Sequence, residues 1–200
     1  MSDAETFDRM LDLGDEAATV ALAEDLAAIL RPGDVIALVG DLGAGKSTFA
    51  RALLRAFADD AALDVPSPTF TLVQTYDLPR LTLSHYDLYR LADASELDEL
   101  GFDEAIALGA ALVEWPDRAE DRLPTSTLVL AIGPGATPEA RRARLTGPAD
   151  AWGARLERTL AVRAFLAVAG SPLGHRRHLQ GDASARSYER IHDGTGSTVL

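Results

Sequence analysis

The stretch Gly40-Asp41-Leu42-Gly43-Ala44-Gly45-Lys46-Ser47 constrains this chain more than any other. It fits G-x-x-x-x-G-K-[ST] at every fixed position. The run before it, VIALVG (35–40), is continuously apolar and partly β-branched. That composition suits a strand buried on both faces of a parallel sheet. The run after it, FARALLRAF (49–57), has helical spacing. A glycine-rich turn between such a strand and a helix can converge its N–H groups on phosphate oxygens, at the positive end of the helix. The expectation is an α/β P-loop fold, with a mixed, largely parallel central sheet flanked by helices.

Within that loop each residue type has a task. Glycines allow backbone angles and close approach that a side chain would block. Asp41, Leu42, Gly43, Ala44, Gly45, Lys46, Ser47 and Thr48 form the candidate nucleoside triphosphate cradle. Lys46 would reach the β- and γ-phosphates, and Ser47 would offer its hydroxyl to Mg2+. The chain uses arginine eighteen times and lysine once, at Lys46. A compact ammonium on a flexible stem is what the loop chemistry favours.

A P-loop also needs an acid at the end of a neighbouring strand. Glu114 follows the apolar Ala110-Ala111-Leu112-Val113 and is the first candidate for Mg2+. Asp87 follows the more mixed Leu83-Ser84-His85-Tyr86 and would face the γ-phosphate or its water. Lys46, Asp87 and Glu114 are thus the catalytic candidates, and Ser47 and Glu114 the metal ligands. His85 reads as a base or a hydrogen-bond partner, or, beside Tyr86 in a strand, as structural. Ser67, Thr69 and Thr71 alternate as on one strand face, and Trp115 and Pro116 read as packing for a strand end.

The remaining pattern alternates helices with strands. Residues 15–30 are helical, opened by Gly14 or Asp15 and ended by Arg31-Pro32-Gly33. Residues 67–76 and 81–89 read as strands joined near Pro79, 95–102 as a short helix, and 111–115 as a buried strand. Residues 126–133 and 141–147 read as closing strands, and 151–170 as an amphipathic helix. SPLGHRR, after Gly170, reads as a linker. Residues 181–200 have strand–turn–strand character around Asp193-Gly194-Thr195-Gly196.

Composition excludes several function classes. With no cysteine, disulfides, thiolate metal sites and cysteine nucleophiles are ruled out. No apolar run is long enough for a membrane span, and the acidic start lacks a signal peptide's basic residues, so a cytoplasmic location is expected. Residues 1–138 carry 25 acidic and 9 basic side chains; residues 139–200 carry 6 and 10. An acidic body argues against capture of nucleic acid by this chain alone. The chain has no asparagine, which excludes an Asn-Lys-x-Asp guanine site. A small-molecule P-loop kinase would need an arginine-bearing lid, and Arg118 and Arg122 sit among acids.

GDLGAGKSTFAR (40–51), VPSPTFTLVQTY (65–76), HYDLYRL (85–91), ELDELGFDE (96–104) and ALVEWPDR (111–118) together resemble the bacterial TsaE family. That family is the small ATPase of tRNA N6-threonylcarbamoyladenosine biosynthesis, and the resemblance covers about residues 8–147. It implies that residues 40–48 bind ATP, that Ser47 and Glu114 hold Mg2+, and that Asp87 is needed for activity. It places Asp15, Glu16 and Thr19 near the adenine and Trp115 at the site. Arg141 and Arg144 fall where relatives place a late nucleotide-side contact. It also implies a TsaB–TsaD complex as partner, reaching tRNA only through that complex. TsaD would transfer the threonylcarbamoyl group, and ATP hydrolysis would reset the complex. The alternatives are a P-loop small-molecule kinase and a non-catalytic ATP-binding interaction module.

The resemblance stops near residue 150. GDASARSYERIHDGTGSTVL (181–200) resembles the opening hairpin of aminoglycoside-phosphotransferase-like sugar kinases. The expected organisation is a P-loop ATPase domain over 1–150, a helix and linker over 151–177, and over 178–200 the start of a second, kinase-like domain.

Overall fold

The structure is a computed structural model that describes residues 5–179, 188–192 and 196–199. Its centre is β2 (Val35–Val39), in which Val35, Ile36, Ala37 and Leu38 are all buried. A strand covered on both faces needs apolar residues at successive positions, which is why this run does not alternate. Beside it lie β5 (Gly109–Glu114) and β6 (Leu128–Pro134), both parallel to it, with Ile36 opposite Leu112 on one side and Leu128 on the other. β4 (Thr82–Asp87) adds a fourth parallel strand beyond β5. The flanks are antiparallel: β3 (Val73–Asp77) beyond β4, then β7 (Arg141–Pro148) and β1 (Thr6–Leu13) beyond β6. The order is β1-β7-β6-β2-β5-β4-β3. The sheet is mixed with a parallel centre, as the sequence implies.

Alternate side chains of the central strands go to opposite faces. Ile36, Leu38, Leu83 and Leu112 face α1 (Glu16–Ile29) and α2 (Lys46–Ala58), packing with Leu26, Phe49, Leu53 and Phe57. Val35, Tyr86, Ala111 and Val113 face the other way, with Leu97 of α3 (Glu96–Glu99) and Phe102 of α4 (Phe102–Leu108). Tyr86 meets Phe102 edge to face, with ring centroids 5.3 Å apart. Asp15 caps α1 by accepting from the Ala18 amide at 2.8 Å. At the other end of α1, Arg80 donates to the carbonyls of Ala27, Ala28 and Leu30, which have no intrahelical partner.

Several elements differ from the sequence expectation. β1 falls in a segment read only as an acidic N-terminus. It pairs with β7 along its whole length and buries Phe7 and Leu13. Of residues 67–76 only Val73 onward is strand; Ser67–Leu72 is a turn, ending on Leu72 at φ 63°. The helix expected at 95–102 is two helices divided at Gly101, whose φ of 67° is left-handed. Residues 149–153 form a π turn ahead of α5 (Ala154–Val168).

The presumed linker runs into a strand, β8 (His175–Leu179), which packs beside α1. β8 forms a second sheet with β9 (Tyr188–His192) and β10 (Ser197–Val199), in the order β10-β9-β8. β9 and β10 pair antiparallel, as the strand–turn–strand pattern requires. Residues 180–187 and 193–195, which hold most of the G-D-A-S motif and the turn, lie outside the described residues.

This C-terminal part is joined to the main sheet by buried charge. Asp25, on α1 and almost wholly buried, accepts from Arg163 of α5 and, at 2.6 Å, from Arg176 of β8. Arg176 also forks onto Glu189, at 2.6 and 2.8 Å. Burial pushes the neighbouring Glu24 carboxyl above its usual range, against the pull of His175, Arg163 and Arg176.

Candidate functional site

The loop between β2 and α2 turns on three glycines in the left-handed range of φ: Gly40 at 153°, Gly43 at 80° and Gly45 at 111°. Gly40 is fixed by a second constraint. A Cβ there would stand 2.4 Å from the carbonyl oxygen of Ile132 on β6. The loop can thus lie flat against the neighbouring strand only with glycine at this position. Lys46 opens α2, and its side chain folds back along the loop. Nζ donates to the carbonyls of Gly40 at 2.6 Å and Asp41 at 3.0 Å, and stands 4.0 Å from the Trp115 ring centroid. Burial lowers the Lys46 pKa from the usual lysine range, opposed by the charges of Glu114, Asp87 and Asp41.

Facing the loop are the ends of β4 and β5. Asp87 and Glu114 are direct partners across this parallel pair, and both are buried. Ser47 Oγ donates to Glu114 Oε2 at 3.2 Å. On Asp87, Oδ2 accepts from Thr69 Oγ1 at 2.8 Å and Ser67 Oγ at 3.3 Å, while Oδ1 accepts from the Tyr89 amide. Lys46, Ser47, Thr48, Ser67, Thr69, Asp87, Glu114 and Trp115 line one 290 Å³ pocket, together with Leu42, Gly43, Gly45 and Tyr89.

The expected strand face of hydroxyls is therefore replaced by a turn. Ser67 and Thr69 reach the pocket through the Asp87 carboxylate, and exposed Thr71 does not line it. Trp115 is more than packing. It sits at φ 59° immediately after β5, which swings its ring over Lys46 and to 5.0 Å from the ring of Tyr89. His85 takes the hydrogen-bonding alternative, since Nε2 lies 3.0 Å from Glu114 Oε1. No local sequence signal marks that contact; it needs the β4–β5 register.

A 390 Å³ cleft adjoins the loop on its other side, lined by Asp15, Glu16, Thr19, Gly45, Thr48, Glu139 and Arg141. It brings the N-terminal trio expected near a base to the start of α2. Arg141 braces the loop by donating from Nε to the Ala44 carbonyl at 3.0 Å. Arg144 does not join it. Its guanidinium forks onto Asp8 of β1, at 2.9 and 2.6 Å. A larger cavity of 620 Å³ lies at the far ends of α1 and α2, but Arg80 and Arg176 in its wall are already engaged, with helix carbonyls and with carboxylates.

The residues suit a nucleoside triphosphate with Mg2+. The glycine cradle leaves no room for a side chain at Gly40, and Lys46 is the cation beside it. Ser47 and Glu114 offer two hard oxygens within hydrogen-bond distance of each other. Mg2+ commonly takes one or two protein oxygens and fills its octahedron with phosphate and water, so a donor pair is sufficient.

The family model for threonylcarbamoyl adenosine biosynthesis protein TsaE matches residues 13–143. The chain is 45% identical over 108 residues to the tRNA threonylcarbamoyladenosine biosynthesis protein TsaE of Rickettsia felis, covering 54% of this chain and 63% of that protein. It is 44% identical over 117 residues to the protein of the same name from Bacillus subtilis, covering 57% and 70%. The chain thus spans somewhat under two thirds of the Rickettsia felis relative. The crystal structure of Bacillus subtilis YdiB superposes with a TM-score of 0.66 at 29% identity, covering 79% of this chain and 97% of that one.

Proposed function

The chain belongs to the TsaE family, and from that premise we propose that it is a Mg2+-dependent ATPase serving N6-threonylcarbamoyladenosine modification of tRNA with a TsaB–TsaD complex. One observation carries this reading: Lys46, Ser47, Asp87 and Glu114 converge on one pocket from two parallel strand ends and a helix start. The relatives' shared name supplies the pathway, and the residues supply the chemistry.

Lys46 would exchange the carbonyls of Gly40 and Asp41 for the β- and γ-phosphate oxygens of ATP. The amides at the start of α2 would point at the same oxygens. Ser47 and Glu114 would hold Mg2+, which when bound supplies neutralising charge at the phosphates. Asp87 would orient the attacking water and accept its proton. Trp115 and Tyr89 would wall the pocket, and Glu16 would lie on the base side. ATP hydrolysis would be slow alone and raised by the partner complex, with tRNA met only through that complex in the cytoplasm. Among the described residues no helix is long and apolar enough to cross a membrane.

The test is ATPase activity with and without the TsaB–TsaD pair, followed by multiple-turnover modification of tRNA. Slow isolated turnover strongly raised by the pair supports the reading. Stoichiometric phosphoryl transfer to a small metabolite would replace it with a kinase. Undiminished modification by Glu114→Ala would replace it with a non-catalytic ATP-binding module. We also propose that 178–200 begins a second, sugar-kinase-like domain; α5, which follows residue 150, packs with the P-loop domain, since its Leu156 joins the core of the main sheet. The antiparallel β9–β10 hairpin supports that reading of the C-terminal residues.

A further inference from the structure

His85 occupies a position where packing alone favours an aliphatic residue. It is 1% exposed in a strand whose neighbours Leu83 and Leu112 build the core under α2. Strand alternation puts His85, Asp87 and Glu114 on this same face. His85 pairs directly with Leu112 and Asp87 with Glu114, so His85 and Glu114 are diagonal neighbours across the β4–β5 ladder. The diagonal brings Nε2 to 3.0 Å from Glu114 Oε1, while Glu114 Oε2 accepts from Ser47. The two carboxylate oxygens are thereby distinguished, one held by the sheet and one presented to the loop.

The ring's other nitrogen supports this division. Nδ1 is buried with no hydrogen-bond partner among the described residues. A carboxylate offers only acceptors, so Nε2 must carry the hydrogen. A histidine kept for packing or fold stability would be expected to satisfy both ring nitrogens, since a buried polar atom without a partner is costly. Among the described residues this ring has one partner, the carboxylate that would hold the metal.

We propose that His85 is a positioning residue that fixes the plane of the Glu114 carboxylate and turns Oε2 toward Ser47, presetting the two-oxygen divalent-cation site. This rests on the Mg2+–ATP reading of the pocket above. Partners of metal-holding side chains typically change metal affinity by about 10- to 100-fold when removed.

The test uses Mn2+ in place of Mg2+ and reads the free-Mn2+ electron paramagnetic resonance signal during titration of the full chain with ATP present. The variants are His85→Gln, His85→Asn and His85→Leu, each checked for folding by circular dichroism. A glutamine amide nitrogen can stand where Nε2 stands, whereas an asparagine amide reaches only as far as Nδ1. His85→Gln should keep Mn2+ affinity within a few-fold of the parent. His85→Asn and His85→Leu should weaken it by about tenfold or more, with ATP affinity in EDTA unchanged in all three. Equal Mn2+ affinities across the set, or equal losses in the Gln and Asn variants, overturn the proposal. If the parent protein itself shows no metal-dependent nucleotide binding, the functional reading fails instead.

Discussion

Asp87 and Glu114 face each other across the β4–β5 ladder as direct register partners, one tying down a turn and the other tied to the start of α2. The two carboxylates share a strand end and have different partners. Their removal should separate accordingly. Glu114→Ala should abolish the gain in ATP affinity that Mg2+ provides. Asp87→Asn should leave Mg2+–ATP binding nearly intact and cut turnover by about 10²-fold or more. Calorimetric titration with and without Mg2+, beside steady-state ATPase rates, checks both; matched losses in the two variants would contradict the division.

The Ser67–Leu72 turn hangs on the same Asp87 oxygen. Thr69→Val removes the shorter of its two hydroxyl bonds, and the Leu72 amide, which donates to the Pro68 carbonyl at 2.7 Å, closes the turn. The expected result is faster hydrogen exchange at Leu72 with a global stability change of about 1 kcal/mol or less, because the turn is largely exposed. Unchanged exchange at Leu72 would show that the turn is held by its own backbone.

Gly40→Ala forces a Cβ against the Ile132 carbonyl at 2.4 Å, and backbone on both sides resists. The loop must lift from β6, costing about 1–3 kcal/mol. Thermal melting should register that cost, and ATP binding should weaken with it. Parent-like melting and binding together would mean that the loop has another resting place.

Burial lowers the Lys46 pKa in the free protein, and bound phosphates would raise it again. A group that binds ligand through its charged form and gains pKa on binding takes up protons as the ligand binds, in the window between the two pKa values. ATP binding measured at alkaline pH, in buffers of different ionisation enthalpy, should therefore show net proton uptake, and affinity should fall as pH rises. Absence of uptake in the alkaline range would argue against phosphate contact by Lys46.

Asp25 receives two guanidinium groups in a nearly water-free setting. Asp25→Ala leaves Arg176 buried with one partner fewer, and breaking such a pair typically costs about 3–5 kcal/mol. Urea unfolding should show that loss, with earlier protection loss in β8 than in β2.

What the sequence made legible was local. The P-loop, its strand and its helix are contiguous, and the apolar runs before Asp87 and Glu114 announce strand ends. What it hid was long-range. β1 carries Asp8, Arg9 and Asp12 among its apolar residues, so its alternation is faint until β7 supplies the partner. Glu24 and Asp25 look like surface acids of a helix; their partners are Arg163, His175 and Arg176, far along the chain. The family resemblance puts Arg144 near the nucleotide, but Asp8 on the adjacent edge strand holds it. Ser67 and Thr69 meet Asp87 from a turn and not from the strand face that their alternation suggests, since Pro68 and the left-handed Leu72 favour a turn over β propensity.

Trp152 follows directly on the last strand of the main sheet. It is buried beside Leu156, its indole donates to the Ser126 carbonyl at 2.7 Å, and Arg155 stacks on it while pairing with Asp34. A shortened protein made for crystallisation or partner assays, if cut where the family match ends at residue 143, would remove this plug. It would uncover the floor beneath α1 and strand Asp34 and Asp25 without their arginines. The useful boundary for recombinant work therefore lies well past the end of the homology, and a poorly behaved short version would say more about where it was cut than about the ATP site.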